Sequence, residues 1–150
     1  MKKFKFTLQS VHNVREMREE KEKLVLSELQ AEVNKVALEI AQIEKLRSQA
    51  IENYMERINS GEQLDAVEME LNTNHFVSLN RLQQEAERNL EQKKQACLQQ
   101  GKTVAMAMRE VKITDHLRET QQARHQLEVS RQEQINIDEI VSATYARKQL

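Results

Sequence analysis

The stretch LSELQAEVNKVALEIAQI, residues 26–43, decides the fold. Its apolar residues Leu26, Leu29, Val33, Val36, Ile40 and Ile43 recur at intervals of 3, 4, 3, 4 and 3. That is the a/d repeat of a helix meeting another helix along a narrow seam. Upstream, Leu8, Val11, Val14 and Met17 continue a stripe, which REEKEK at residues 18–23 interrupts. Downstream, Arg47 falls on the strict register. The apolar line moves to Leu46, Ala50, Ile51, Tyr54, Met55 and Ile58, which reads as a stutter in the supercoil. Nothing from Leu8 to Ile58 breaks a helix, so the spacing predicts one over about residues 8–58.

The break comes at INSGEQL, residues 58–64. Asn59-Ser60-Gly61 is turn chemistry, because Gly accepts the left-handed conformation that ends a helix. Ser60 followed by Gln63 is a capping-box pattern. Leu64, Val67 and Leu71 then precede a second group of capping residues, Asn72-Thr73-Asn74. These signals predict a tip over about residues 59–74 that holds a short helix or loop. A second long helix is expected over about residues 75–146. Phe76, Leu79, Ala86, Leu90, Cys97, Val104, Ala107 and Val111 share one a/d frame in it. Gln83, Lys93 and Gln100 are polar exceptions. Beyond Val111 the apolar frame shifts to Ile113, Leu117, Leu127 and later Ile137 or Ile140, and residues 117–134 are nearly all polar.

Composition agrees with long helices. The chain has no Pro, Gly only at positions 61 and 101, 31% charged residues and 3% aromatics. The formal net charge is −1 with the signs interspersed, so the sequence carries no electrostatic footprint for nucleic acid. One Cys excludes an intramolecular disulfide and fits a reducing compartment. No apolar run approaches a membrane span, and the basic N-terminus lacks an apolar core segment of the signal-peptide kind. A cytoplasmic location is expected.

Residues for catalysis are sparse. Two isolated Gly cannot form a phosphate loop. His12, His75, His116 and His125 lack metal-ligand spacing and read as solvated residues on a polar helix. Cys97 reads as a small seam residue, and the carboxylates as solvated partners of Lys and Arg at helical spacing. Met17, Met55, Met69, Met106 and Met108 read as ordinary apolar filler. No catalytic, cofactor-binding or metal site is expected, and no cofactor.

Two helices with one apolar stripe each must fold onto one another. The expected fold is all-α: a single elongated domain, a long antiparallel two-helix coiled-coil hairpin with both termini at one end. The few aromatics then cluster at the ends. Phe4, Phe6 and Tyr145 fall near the termini, and Tyr54 and Phe76 flank the tip. Such residues either cap the seam or dock on a partner, since aromatics are enriched where interfaces draw their energy.

The two ends of the chain also resemble a known family. KFKFTLQSVHNVREMREEKEKL supplies the Phe-x-Phe-x-Leu-x-x-Val start of the FliJ family, at Phe4, Phe6, Leu8 and Val11, followed by Arg15-Glu16. IDEIVSATYARKQL is similar to that family's ending, at Asp138, Glu139, Tyr145, Ala146 and Arg147. The resemblance implies a non-enzymatic component of flagellar type III export. It implies a central stalk that places its terminal end in the hexameric export ATPase, FliI, contacts the export gate protein FlhA, and handles export chaperones at the inner-membrane base of the flagellum. The residues it assigns to the ATPase ring are Phe4, Phe6, Leu8, Val11, Arg15, Tyr145 and Arg147. Those it assigns to the gate are Leu46, Tyr54, Phe76 and Leu79. A stalk protein of a related virulence secretion system has the same architecture, and a structural coiled-coil spacer shares its heptads.

Overall fold

The computed structural model describes residues 3–149. Two helices, α1 (Gln9–Asn59) and α2 (Ala66–Lys148), pack against each other as an all-α helical hairpin. By contacts the chain forms two compact units. One is Met1–Lys21 with Ala105–Leu150, and the other is Glu22–Val104. Each helix contributes to both.

In the unit Glu22–Val104 the seam of α1 runs through Glu22, Leu26, Leu29, Val33, Val36, Ile40, Ile43, Ala50, Tyr54 and Arg57, all partly or fully buried. The 3–4 rhythm holds past Ile43. Arg47 keeps its place in the register and donates from Nη1 to Gln83 Oε1 on α2 at 3.2 Å. The expected stutter is therefore absent, and Leu46, Ile51, Met55 and Ile58 stand exposed beside the seam. The long stem of arginine covers apolar surface while its charged head reaches a polar partner, so a cation at one a/d position does not displace the register.

The facing stripe of α2 is Asn72, Phe76, Leu79, Gln83, Ala86, Leu90, Lys93, Cys97, Gln100 and Val104. Gln83, Lys93 and Gln100 find partners on α1. Lys93 Nζ lies 2.6 Å from Glu32 Oε2. Gln100 Nε2 donates to the carbonyl of Glu22 at 3.0 Å and also to its carboxylate. The pairings Glu22–Gln100, Glu32–Lys93, Arg47–Gln83 and Tyr54–Phe76 run in opposite senses along the two helices, which makes this pair antiparallel.

The connection is shorter than the sequence signals suggest. α1 ends at Asn59, and Gly61 adopts φ +77°, the left-handed value expected of it. Ser60 does not start a helix. Its hydroxyl donates back to the carbonyl of Arg57 at 2.9 Å, closing the end of α1. Arg57 is fixed in turn by Glu62 at 3.1 Å and Glu68 at 3.2 Å. α2 already begins at Ala66, after Asp65, rather than near His75. The group Asn72-Thr73-Asn74 lies inside it. The Thr73 hydroxyl donates back to the carbonyl of Met69 at 2.9 Å instead of capping a new start, and Asn72 occupies a seam position.

In the other unit residues 3–8 lead into α1. Gln9 N–H donates to the carbonyl of Phe6 at 3.2 Å, and Phe6 is 5% exposed. The seam on α1 here is His12, Arg15 and Glu19, and on α2 it is Ala107, Val111, Thr114, Arg118, Gln121 and His125. The expected stripe of Leu8, Val11, Val14 and Met17 is exposed instead. So are Ile113, Leu117 and Leu127, the expected shifted frame of α2. Register continuity outranks local apolarity in both helices: the positions fixed by the 3–4 rhythm stay inward although polar residues fill them. From Ser130 onward every described residue of α2 is exposed.

Two outcomes test the seam. Leu79→Ala removes a side chain that is 5% exposed and is expected to cost about 2–3 kcal/mol in chemical denaturation. Leu46→Ala, outside the seam, is expected to change stability by no more than ~0.5 kcal/mol. A second test is electrostatic. The hydrogen bond and charge of Lys93 hold the Glu32 carboxyl below its ordinary value. A lowered acid contributes stability above its ordinary pKa and loses it as pH falls through the lowered one. The stability difference between wild type and Glu32→Gln, measured against pH, is expected at neutral pH and gone in strong acid. It is small, because the pair is exposed.

Candidate functional site

His12 is the most enclosed side chain in the unit that carries the termini, at 0% exposure, with Thr114 at 2%. Its Nδ1 and the Thr114 Oγ1 are 2.7 Å apart across the helix pair. The Thr114 hydroxyl also reaches the carbonyl of Val111 at 3.0 Å. His12 Nε2 lies 2.9 Å from Glu16 Oε1 and 3.2 Å from Asp115 Oδ1, neither aligned for a hydrogen bond. This corrects the reading of His12 as a solvated residue. The signal was available: stepping back from Leu26 by 4, 3, 4 and 3 lands on Glu22, Glu19, Arg15 and His12. One turn on, Arg15 donates from Nη1 to the carbonyl of Glu110 at 2.9 Å. Arg18 approaches the Glu110 carboxylate at 3.7 Å. Polar links, not apolar contacts alone, thus hold the first turns of α1 to α2.

Beside these links a shallow groove of about 480 Å³ is lined by Ser10, Val11, Val14, Arg15, Arg18 and Glu110. Of the residues expected at the ATPase ring, Leu8 and Val11 are exposed and Arg15 is partly buried. Phe4 is half-buried with its ring 5.7 Å from that of His125, and Phe6 lies beneath the surface. Phe4 therefore packs on the middle of this α2 segment and not beside Tyr145. Tyr145 is 67% exposed, and Arg147 lies in the last turn of α2. Ile137, Ile140, Val141 and Tyr145 are all exposed at spacings that bring them to one face of the helix. The sequence places Ile137 or Ile140 on the shifted apolar frame and assigns only Tyr145 of this face to a partner surface.

In the other unit, the expected gate residues divide by depth. Tyr54 and Phe76 meet edge to face, with centroids 6.1 Å apart and planes at 86°. Such a geometry is favourable by about 0.5–1.5 kcal/mol beyond the area it buries. The pair forms part of a groove of about 260 Å³ completed by Arg47, Ile51, Met55 and Asn80. Leu79 is 5% exposed, below the surface, whereas Leu46 is exposed. Ile51 and Met55, read from the sequence as seam residues, belong to this surface.

Among the described residues no group of His, Cys, Asp or Glu is arranged to hold a metal ion. No helix among them is long and apolar enough to cross a membrane. What stands out is apolar and aromatic surface on two helices rather than a cleft of reactive groups. These features define a helical-hairpin protein with exposed apolar faces.

Its family follows from the sequence as a whole. The family model described as Flagellar FliJ protein matches residues 4–150, and the chain belongs to that family. No curated protein and no solved structure gives a match. Membership makes the chain a component of flagellar type III export, in a family of non-enzymatic export components associated with the flagellar export apparatus.

The polar link at His12 generates a test. His12→Ala removes the hydrogen bond to Thr114 across the helix pair and opens a void, and is expected to cost about 1–3 kcal/mol. Amide hydrogen exchange should quicken over residues 9–21, whereas Val14→Ala, on the exposed side, should leave exchange there unchanged.

Proposed function

We propose that this chain acts without catalysis as the central stalk of the flagellar export ATPase. In this reading it binds the FliI hexamer through the unit that carries its termini and FlhA through the Tyr54–Phe76 groove. The observation that carries this reading is the last stretch of α2. A helix face bearing Ile137, Ile140, Val141 and Tyr145 is exposed, with every described residue from Ser130 onward in solvent. Contiguous apolar exposure of this kind marks a surface that a partner covers. Phe4, Leu8, Val11 and the Arg15 groove add a second contact area in the same unit. Phe6 supports it from beneath.

A stalk of this kind works by differential affinity. It biases the assembly and conformational cycle of a ring only by as much as it prefers one ring state over another. Long helices that are well linked to each other suit that role, because a flexible ligand would lose part of its binding free energy in being ordered. For the gate, Tyr54 and Phe76 offer a preformed aromatic pair, flanked by Ile51, Met55 and Leu46, with Leu79 packed below. Handling of export chaperones belongs to the same proposal and rests on the family resemblance alone. The site of action is the cytoplasmic face of the inner membrane at the flagellar base.

The test uses exposed residues, whose loss leaves the hairpin folded. Ile140→Asp with Tyr145→Ala is expected to weaken binding to the purified export ATPase at least about tenfold, roughly 1.4 kcal/mol or more. Stimulation of ATP hydrolysis should fall in parallel while far-UV circular dichroism stays unchanged. Phe4→Ala should give a smaller loss. Stimulation by the double variant equal to wild type would refute the assignment of this end.

A further inference from the structure

The 3–4 rhythm that forms the seam occurs a second time on α1, facing outward. Leu24, Ser27, Ala31, Asn34, Leu38 and Ala41 follow one another at intervals of 3, 4, 3, 4 and 3. All six are exposed, Leu24 at 61% and Leu38 at 66%. They lie in the unit Glu22–Val104, two residues out of phase with the seam positions Leu26, Leu29, Val33, Val36 and Ile40. A helix with one neighbour needs one such stripe, and the second has the spacing of a coiled-coil face without a partner among the described residues.

We infer that this outer stripe is a self-association surface, on which a second copy of the chain docks antiparallel to form a reversible two-fold dimer. The stripe carries its two large residues, Leu24 and Leu38, at positions that meet small ones when a second copy runs antiparallel. With the two-fold axis between Ala31 and Asn34, Leu24 faces Ala41 of the second copy and Leu38 faces its Ser27. Ala31 then faces its Asn34. Each leucine meets a small residue, so neither end is overpacked. Asn34, beside the axis, is the polar a/d-type position that selects one register at a cost in stability.

The charges flanking the stripe agree. Glu28 and Lys35, both exposed, lie on the same flank. In the antiparallel register Glu28 of each copy comes opposite Lys35 of the other, and the two-fold axis makes that pairing twice. An isologous contact of this kind closes on itself and does not propagate into fibres. The area is modest. Two leucines and four small or polar side chains per copy fall well short of the ~1,200 Å² at which protein–protein interfaces become stable. The dimer therefore forms at high protein concentration and dissociates on dilution.

Sedimentation equilibrium of the full chain over a wide concentration series tests this. The expected result is a monomer–dimer equilibrium in which dimer appears at high micromolar protein. Leu24→Glu with Leu38→Glu should leave only monomer, with unchanged far-UV circular dichroism because both positions are exposed. Glu28→Lys alone and Lys35→Glu alone each place like charges opposite one another and should be monomeric. An equimolar mixture of the two restores both attractive pairs and should recover the dimer. Any one of three results would overturn the inference: monomer throughout for the wild type, a dimer that survives Leu24→Glu with Leu38→Glu, or a mixture that stays monomeric. None of these readouts involves the export ATPase, so the inference and the stalk proposal fail separately.

Discussion

Register is the constraint on which the rest of the structure depends. Two helices that share a seam must each bring a residue inward every three or four positions, whatever that residue is. In each unit the inward positions keep that rhythm where the sequence departs from apolarity, as at Arg57, at Glu22 and Gln100, and at His12 and Thr114. Slipping the register to follow the nearest leucine would realign only a few residues and would put every later seam residue out of phase. A polar side chain in the seam costs less, provided it finds a partner on the facing helix. Gln83, Lys93, Gln100 and Thr114 provide such partners.

The same constraint creates the exposed apolar surface. Residues that would have formed the core under a slipped register are left outside it. Ile51 and Met55 become the wall of the groove beside Tyr54 and Phe76. Val11 and Val14 line the groove beside Arg15. The last stretch of α2, where no part of α1 lies opposite in the sequence register, keeps its whole circumference in solvent. The outer stripe at Leu24 to Ala41 is a further face of the same kind.

Much of the fold was legible in the sequence because the run Leu26 to Ile43 is nearly free of exceptions, and Gly61 marks the turn without ambiguity. What misled the reading was local chemistry. Ser60 and Asn72-Thr73-Asn74 are good capping residues, yet in the structure the hydroxyls of Ser60 and Thr73 bond back to carbonyls of the preceding turn. The sequence signals consequently place the start of α2 near residue 75, later than Ala66. His12 was read as solvated because histidine on a charged helix usually is. Counting heptads backward through REEKEK would have placed it inward. Of the residues expected at partner surfaces, Phe6 and Leu79 prove to lie below the surface, and depth of this sort is not visible in a spacing pattern. The face at Ile137 to Tyr145 was missed for the opposite reason: its apolar residues were read as a weak continuation of the seam.

The central claim is that the unpacked end of α2 is covered by the export ATPase. Hydrogen–deuterium exchange of the chain, with and without the assembled hexamer, tests it most directly. Residues 131–149 are expected to exchange fast in the free chain and to gain the largest protection on binding, with a smaller gain over residues 3–15. Protection confined to other segments, with residues 131–149 unchanged in the complex, would contradict it.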